Sequence, residues 1–154
     1  MANSRVARAL GNKGDRSIFK KQDSLYCSLN KSVPFVLCTW SGKRLQLDGF
    51  EIDHCFPWSR WLNNDLWNLL PASQLANNQK LEKLPSAALM HELKKRILDW
   101  WEQAYSEEGL RNQFQMEAES ALPLAGGASF ANVFEAMLYQ RARLRADQQL
   151  TEWK

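Results

Sequence analysis

Residues 51–80 read EIDHCFPWSRWLNNDLWNLLPASQLANNQK, and the reading of the chain turns on them. His54, one of only two histidines in 154 residues, follows Asp53 directly, and asparagines stand at 63, 64, 68, 77 and 78. FEIDHC (50–55) has the branched and aromatic content of a strand, and Pro57 closes it. LWNLLPA (66–72) reads as a second strand. Ser73 is placed to cap a helix over 74–82, which Pro85 breaks. The order is strand, long loop, strand, helix, with Asp48-Gly49 as a turn signal just before it.

The residue types suggest a chemistry. An aspartate such as Asp53 offers a hard anionic oxygen, and an asparagine such as Asn77 offers a neutral carbonyl oxygen. A few such oxygens completed by water suit Mg²⁺ better than zinc. A neutral histidine beside them takes a proton from water near neutral pH. Neighbouring strand residues face opposite ways, so Asp53 and His54 need a twisted strand end to serve one centre.

The ordered set Asp53-His54, Pro57, Asn68-Leu69, Asn77 and Lys80 resembles the HNH endonucleases, which are built on a ββα-metal motif. Fifteen residues separate Asp53 from Asn68, and nine separate Asn68 from Asn77. EIDHxxPWSR, NDLWNL and KLPS are similar to bacterial members, and the resemblance spans 37–86, with the SGKRL turn matched more loosely. It implies that His54 is the general base, that Asp53 and Asn77 hold one divalent metal, and that Asn68 ties the loop and orients His54. Asn78 competes for the ligand position, and the spacing to Lys80 favours Asn77. Arg60 or Lys80 would hold a phosphate. The implied reaction is hydrolysis of DNA phosphodiester bonds with Mg²⁺, or Mn²⁺, leaving 5′-phosphate and 3′-hydroxyl ends.

Many relatives carry two CxxC pairs that bind a structural zinc. Cys27, Cys38 and Cys55 form no such pair, and Ala76 stands where a cysteine is common. No structural zinc is expected, and each cysteine reads as a small buried hydrophobe. Apolar packing from Trp67 and the helix after residue 86 would hold the hairpin instead. Trp58 and Trp61 flank Arg60 and read as core more readily than as stacking platforms for a sugar or base.

Outward from the motif, residues 1–22 form a basic arm with Arg5, Arg8, Lys13, Arg16, Lys20 and Lys21. Such a segment suits a phosphate backbone or a solvated arm equally. PFVLCTW (34–40) reads as a strand, SGK as a turn, and RLQLDGF follows. Beyond Ser86, Leu89, Leu93, Ile97, Trp100 and Ala104 fall at helical spacing. Two more helices are expected, one through GLRNQFQMEAESAL and one through Phe130, Val133, Phe134, Met137, Leu138 and Leu144. His91 reads as a surface residue, and Arg141, Arg143 and Arg145 as a solvated face or a basic patch.

The expected fold class is α+β: a ββα-metal HNH motif with small N-terminal strands and a helical C-terminal extension. The divisions are 1–22 (arm), 23–86 (nuclease domain) and 87–154 (extension packed on it, or a partner or dimer interface). At 45% hydrophobic residues the chain affords a real core, and no apolar run approaches the roughly 20 residues of a membrane span. The basic start has no apolar signal-like region, so a cytoplasmic location is the default. DNA is the expected partner, with RNA as the alternative substrate and a homodimer or larger complex through the C-terminal helices. One centre cuts one strand, so a monomer nicks. The setting expected is bacterial defence or a mobile element. The competing readings are a non-catalytic nucleic-acid-binding or partner-docking subunit and an RNA-cleaving toxin. The featureless start suits an excised C-terminal piece, and Met1 suits a complete small protein.

Overall fold

The computed structural model describes residues 35–46 and 50–154. The basic arm, Cys27 and the Asp48-Gly49 turn lie outside them. The first hairpin pairs β1 (Val36–Leu37) with β2 (Arg44–Leu45), antiparallel. The strand expected over 34–40 is shorter because the chain turns at Thr39: Gly42 N donates to Cys38 O and Cys38 N to Lys43 O, both at 2.8 Å. Gly42 sits at φ 70°, where a side chain is strained, and an added Cβ would lie 3.2 Å from the Arg96 guanidinium.

The second hairpin pairs β3 (Glu51–His54) with β4 (Leu69–Ala72), with Asp53 opposite Leu70 and His54 opposite Leu69. The second strand expected over 66–72 begins three residues late, after a 3₁₀ turn at Leu66–Asn68. Local side-chain bonding makes that turn. Asn63 Oδ1 accepts from Asp65 N, and Asp65 Oδ2 accepts from Asn63 Nδ2 and Trp67 Nε1. Asp65 O then accepts from Asn68 N, so the backbone closes locally before it can join the ladder. Helix α1 (Gln74–Lys80) follows, capped by Ser73 Oγ, which accepts from Ala76 N at 3.2 Å.

β5 (Leu84–Pro85) leads into α2 (Ala87–Ala104), whose cap is Ser86 as expected. Then come α3 (Glu108–Ala121), α4 (Phe130–Gln148), capped by Ser129, and β6 (Glu152–Trp153). β6 runs parallel to β5, pairing Leu84 with Glu152 and Pro85 with Trp153. Nothing in the sequence reading anticipated β6, because two residues are too few to show a period. The result is an α+β architecture with two antiparallel hairpins, one parallel pair and four helices among the described residues.

One core joins the hairpins to the helices. α2 buries Met90, Leu93, Ile97, Trp100, Trp101 and Ala104, while Leu89 is only partly covered. Polar tips of the helical half serve backbone of the ββα segment: Trp100 Nε1 donates to Leu69 O at 3.0 Å and Tyr105 Oη to Leu66 O at 2.8 Å. Leu66 N donates in turn to Glu117 Oε2. No helix among the described residues is long and apolar enough to cross a membrane.

Candidate functional site

Helix α1 lies along β3. Residues three apart on a helix share a face, as do residues two apart on a strand. Asn77 and Lys80 therefore meet Glu51 and Asp53 in step. Asn77 Nδ2 donates to Glu51 Oε2 at 2.7 Å, and Lys80 Nζ lies 3.3 Å from Asp53 Oδ2. Lys80 also donates to His54 O at 2.7 Å, and Trp40 Nε1 donates to Asp53 Oδ2 at 2.8 Å. Asn78 is exposed while Asn77 faces the strand, so the two asparagines are separated by their place on the helix.

His54 is buried on the same strand end. Its Nε2 lies 2.8 Å from Asn64 Oδ1, and its ring sits 5.6 Å from that of Trp58. A carbonyl oxygen accepts, so Nε2 carries the hydrogen and Nδ1 keeps its lone pair. Burial lowers the imidazole pKa below its ordinary value, and the nearby Lys80 ammonium acts in the same direction. The Asn64 hydrogen bond and the Asp53 carboxylate oppose the shift without cancelling it. The shift favours the neutral form of the ring.

Three expectations need correction. Asn68 was expected to tie the loop and to orient His54. Its side chain does the first and not the second: Oδ1 accepts from Phe56 N at 2.8 Å, and Nδ2 donates to Phe56 O and Asn63 O. The side-chain partner of His54 is Asn64, which the sequence reading noticed only as one asparagine among several. Lys80 was expected to hold phosphate, yet it is 0% exposed and both of its polar partners are internal. The carboxylate of Asp53 and the carbonyl of His54 draw it inward. Arg141 was expected on a solvated face or basic patch, but it is buried, donates to Pro85 O at 2.6 Å and pairs with Glu152. Arg143 and Arg145 are exposed.

Arg60 is exposed and lies 3.7 Å from Glu82, a loose pair that leaves it facing solvent. Trp61 packs with Phe56 and Trp67 in an aromatic cluster, and His91 is exposed. Cys38 and Cys55 are free and buried. The Cys38 sulfur links the first hairpin to the start of α1, accepting from Ser41 N at 3.5 Å and Ser73 N at 3.4 Å. Glu51, Trp40, Asn64 and Cys38 are the site neighbours that the sequence reading missed. Only Glu51 left a signal, since it sits two positions before Asp53 on one strand face.

No cluster of three or more His, Cys, Asp or Glu side chains arranged to hold a metal occurs among the described residues. The oxygens present still fit a hard divalent cation. Both protein contacts to Asp53 fall on Oδ2, and Asn77 uses its Nδ2, so Oδ1 of each residue takes no hydrogen bond among the described residues. Asp53 faces the Lys80 ammonium at 3.3 Å, while Glu51 accepts from the neutral amide of Asn77. Carboxylate and amide oxygens are the ligand types for Mg²⁺ and Mn²⁺.

Residues 38–86 match the family model described as HNH endonuclease. Searches of curated proteins and of solved structures returned no match.

Proposed function

Because residues 38–86 belong to the HNH endonuclease family, we propose that this chain is a metal-dependent endonuclease that hydrolyses DNA phosphodiester bonds. One observation carries the reading: a buried His54, its Nε2 held by Asn64 and its pKa lowered by burial, stands next to Asp53 on the strand that α1 lies along with Asn77 and Lys80. His54 Nδ1 accepts the proton of the attacking water. Asn64 holds the ring by its other nitrogen, so the proton-accepting side does not exchange with the donor side. Asp53 and Asn77 would hold the divalent cation, and Glu51 accepts from the Asn77 amide nitrogen, which fixes the orientation of that amide. Bound there, Mg²⁺ or Mn²⁺ supplies stabilisation of charge on the phosphate and the leaving oxygen. Arg60, exposed nearby in sequence, is the cation best placed to grip a phosphate, and a guanidinium does so with two parallel bonds. Asn68 keeps the loop between the strands in shape.

The test is plasmid nicking with Mg²⁺, with and without EDTA, beside parallel incubations with single-stranded DNA and RNA. Cutting that needs the metal and disappears in His54→Ala, with DNA binding kept, supports the reading. Cutting by His54→Ala at the parental rate removes His54 as the base. A second reading is favoured by the Lys80–Asp53 pair at 3.3 Å: a non-catalytic binding module in which the lysine stands in for the metal. It predicts DNA binding that EDTA does not alter and no cutting under any condition.

A further inference from the structure

Resting on the reading of Asp53 as a metal ligand, we propose that β6, outside the matched segment, is a positioning element of the metal centre. Trp153 fixes Trp40, and Trp40 fixes the Asp53 carboxylate. The rings of Trp40 and Trp153 meet edge to face, with centroids 5.3 Å apart and planes at 74°. Trp40 is buried, its Nε1 donates to Asp53 Oδ2 at 2.8 Å, and Lys80 Nζ lies 5.3 Å above its ring. An indole has a single N–H. A rotated Trp40 ring therefore gives up the Asp53 contact entirely, and the edge of Trp153 opposes that rotation.

Trp153 is itself held firmly. Ser86 N donates to Trp153 O at 2.8 Å, and Leu84 N donates to Thr151 O at 3.0 Å. Arg141 and Arg145 of α4 both pair with Glu152, the residue before Trp153. Arg141 also donates to Pro85 O, on the strand that β6 pairs with. The chain of contacts runs α4, β6, Trp40, Asp53. It fixes Oδ2 and leaves Oδ1 without a hydrogen bond among the described residues. A metal ligand held this way has less freedom to lose on binding, and partners of ligands typically govern metal affinity by about 10–100-fold.

The test is calorimetric titration of the full chain with Mn²⁺, in the parent and in Trp153→Ala, Trp153→Phe and Trp40→Phe. Trp153→Ala should bind roughly tenfold more weakly or worse, and Trp153→Phe, which keeps an aromatic edge, should recover most of the loss. Trp40→Phe keeps the ring packing and removes only the N–H, so it should weaken binding to a similar degree. In nicking assays the metal concentration for half-maximal rate should rise by the same factor, with kcat at saturating metal near the parental value. A purely structural role would lower the folded fraction and kcat without a metal-dependent rescue. Folded Trp153→Ala with parental Mn²⁺ affinity overturns the inference. Should Trp153→Ala fail to fold, parental affinity in Trp40→Phe overturns it instead. A parent that binds no Mn²⁺ overturns the metal reading and this inference together, whereas a binding parent with unaffected variants overturns this inference alone.

Discussion

Replacing Lys80 by methionine tests the buried charge at the centre of the site. Lys80 is 0% exposed and Asp53 is 7% exposed, and their charges lie 3.3 Å apart. Methionine keeps the length and apolar stem but removes the ammonium. Among the described residues Asp53 then keeps only the Trp40 N–H, and His54 O loses the Lys80 donor. Removing one member of a buried ion pair costs about 3–5 kcal/mol, because the other charge stays desolvated. A surface pair would cost about 0–1 kcal/mol. With a urea slope of about 1–3 kcal/mol/M, typical of small proteins, the unfolding midpoint should drop by about 2 M. The double variant Lys80→Met, Asp53→Asn should recover much of that loss, since no charge is left unpaired. Saturating Mg²⁺ should stabilise Lys80→Met more than the parent, because the cation then neutralises an otherwise bare carboxylate. Urea unfolding followed by far-UV circular dichroism reads all of these. A single-variant loss below about 1 kcal/mol would show the pair to be screened like a surface one, and the account of Lys80 as an internal cation would fail.

Four other outcomes are expected. Asn64→Ala should slow cutting by roughly 10–100-fold with DNA binding unchanged, because the ring loses its orientation; nitrogen NMR of the histidines should show the Nε2–H form in the parent and a mixture in the variant. The lowered His54 pKa makes the unfolded chain take up a proton before the native one does as pH falls. Stability contributed by this group is therefore complete above the ordinary 6.5 and is lost as pH drops from there toward the native pKa, which urea midpoints between pH 7.5 and 5 should show, with His54→Gln flatter than the parent. Burial pushes the Cys55 thiol up to about 12, so iodoacetamide at pH 8 should leave it unmodified in the native protein and label it after denaturation, as mass spectrometry of peptides can read. Trp67→Ala removes a fully buried indole packed against Phe56 and Trp61 and should cost about 3–5 kcal/mol in chemical unfolding.

Much of the site was legible in the sequence because its order is carried by neighbours. Branched and aromatic content and a closing proline mark β3, and serines before helical runs mark the caps at Ser73 and Ser86. The spacing of Asp53, His54, Asn68 and Asn77 belongs to one hairpin and one helix, so a resemblance over fifty residues suffices to nominate them. The choice of partner for each long polar side chain was not legible. Lys80 looks like any surface lysine until Trp40, forty positions earlier, roofs it and Asp53 draws it in. Asn64 and Asn68 are interchangeable in a string of asparagines until the 3₁₀ turn sends one to the imidazole and the other into the loop. Arg141, Glu152 and Trp153 show no pattern in the chain, since a two-residue strand has no period and an arginine's burial depends on which carbonyl the fold brings within reach. Local hydrogen bonding and periodicity are written in adjacent residues, so sequence alone determined the ββα unit and its candidate site residues. Long-range satisfaction of buried polar atoms depends on the whole packed chain, and only the tertiary structure decided which groups hold that set in place.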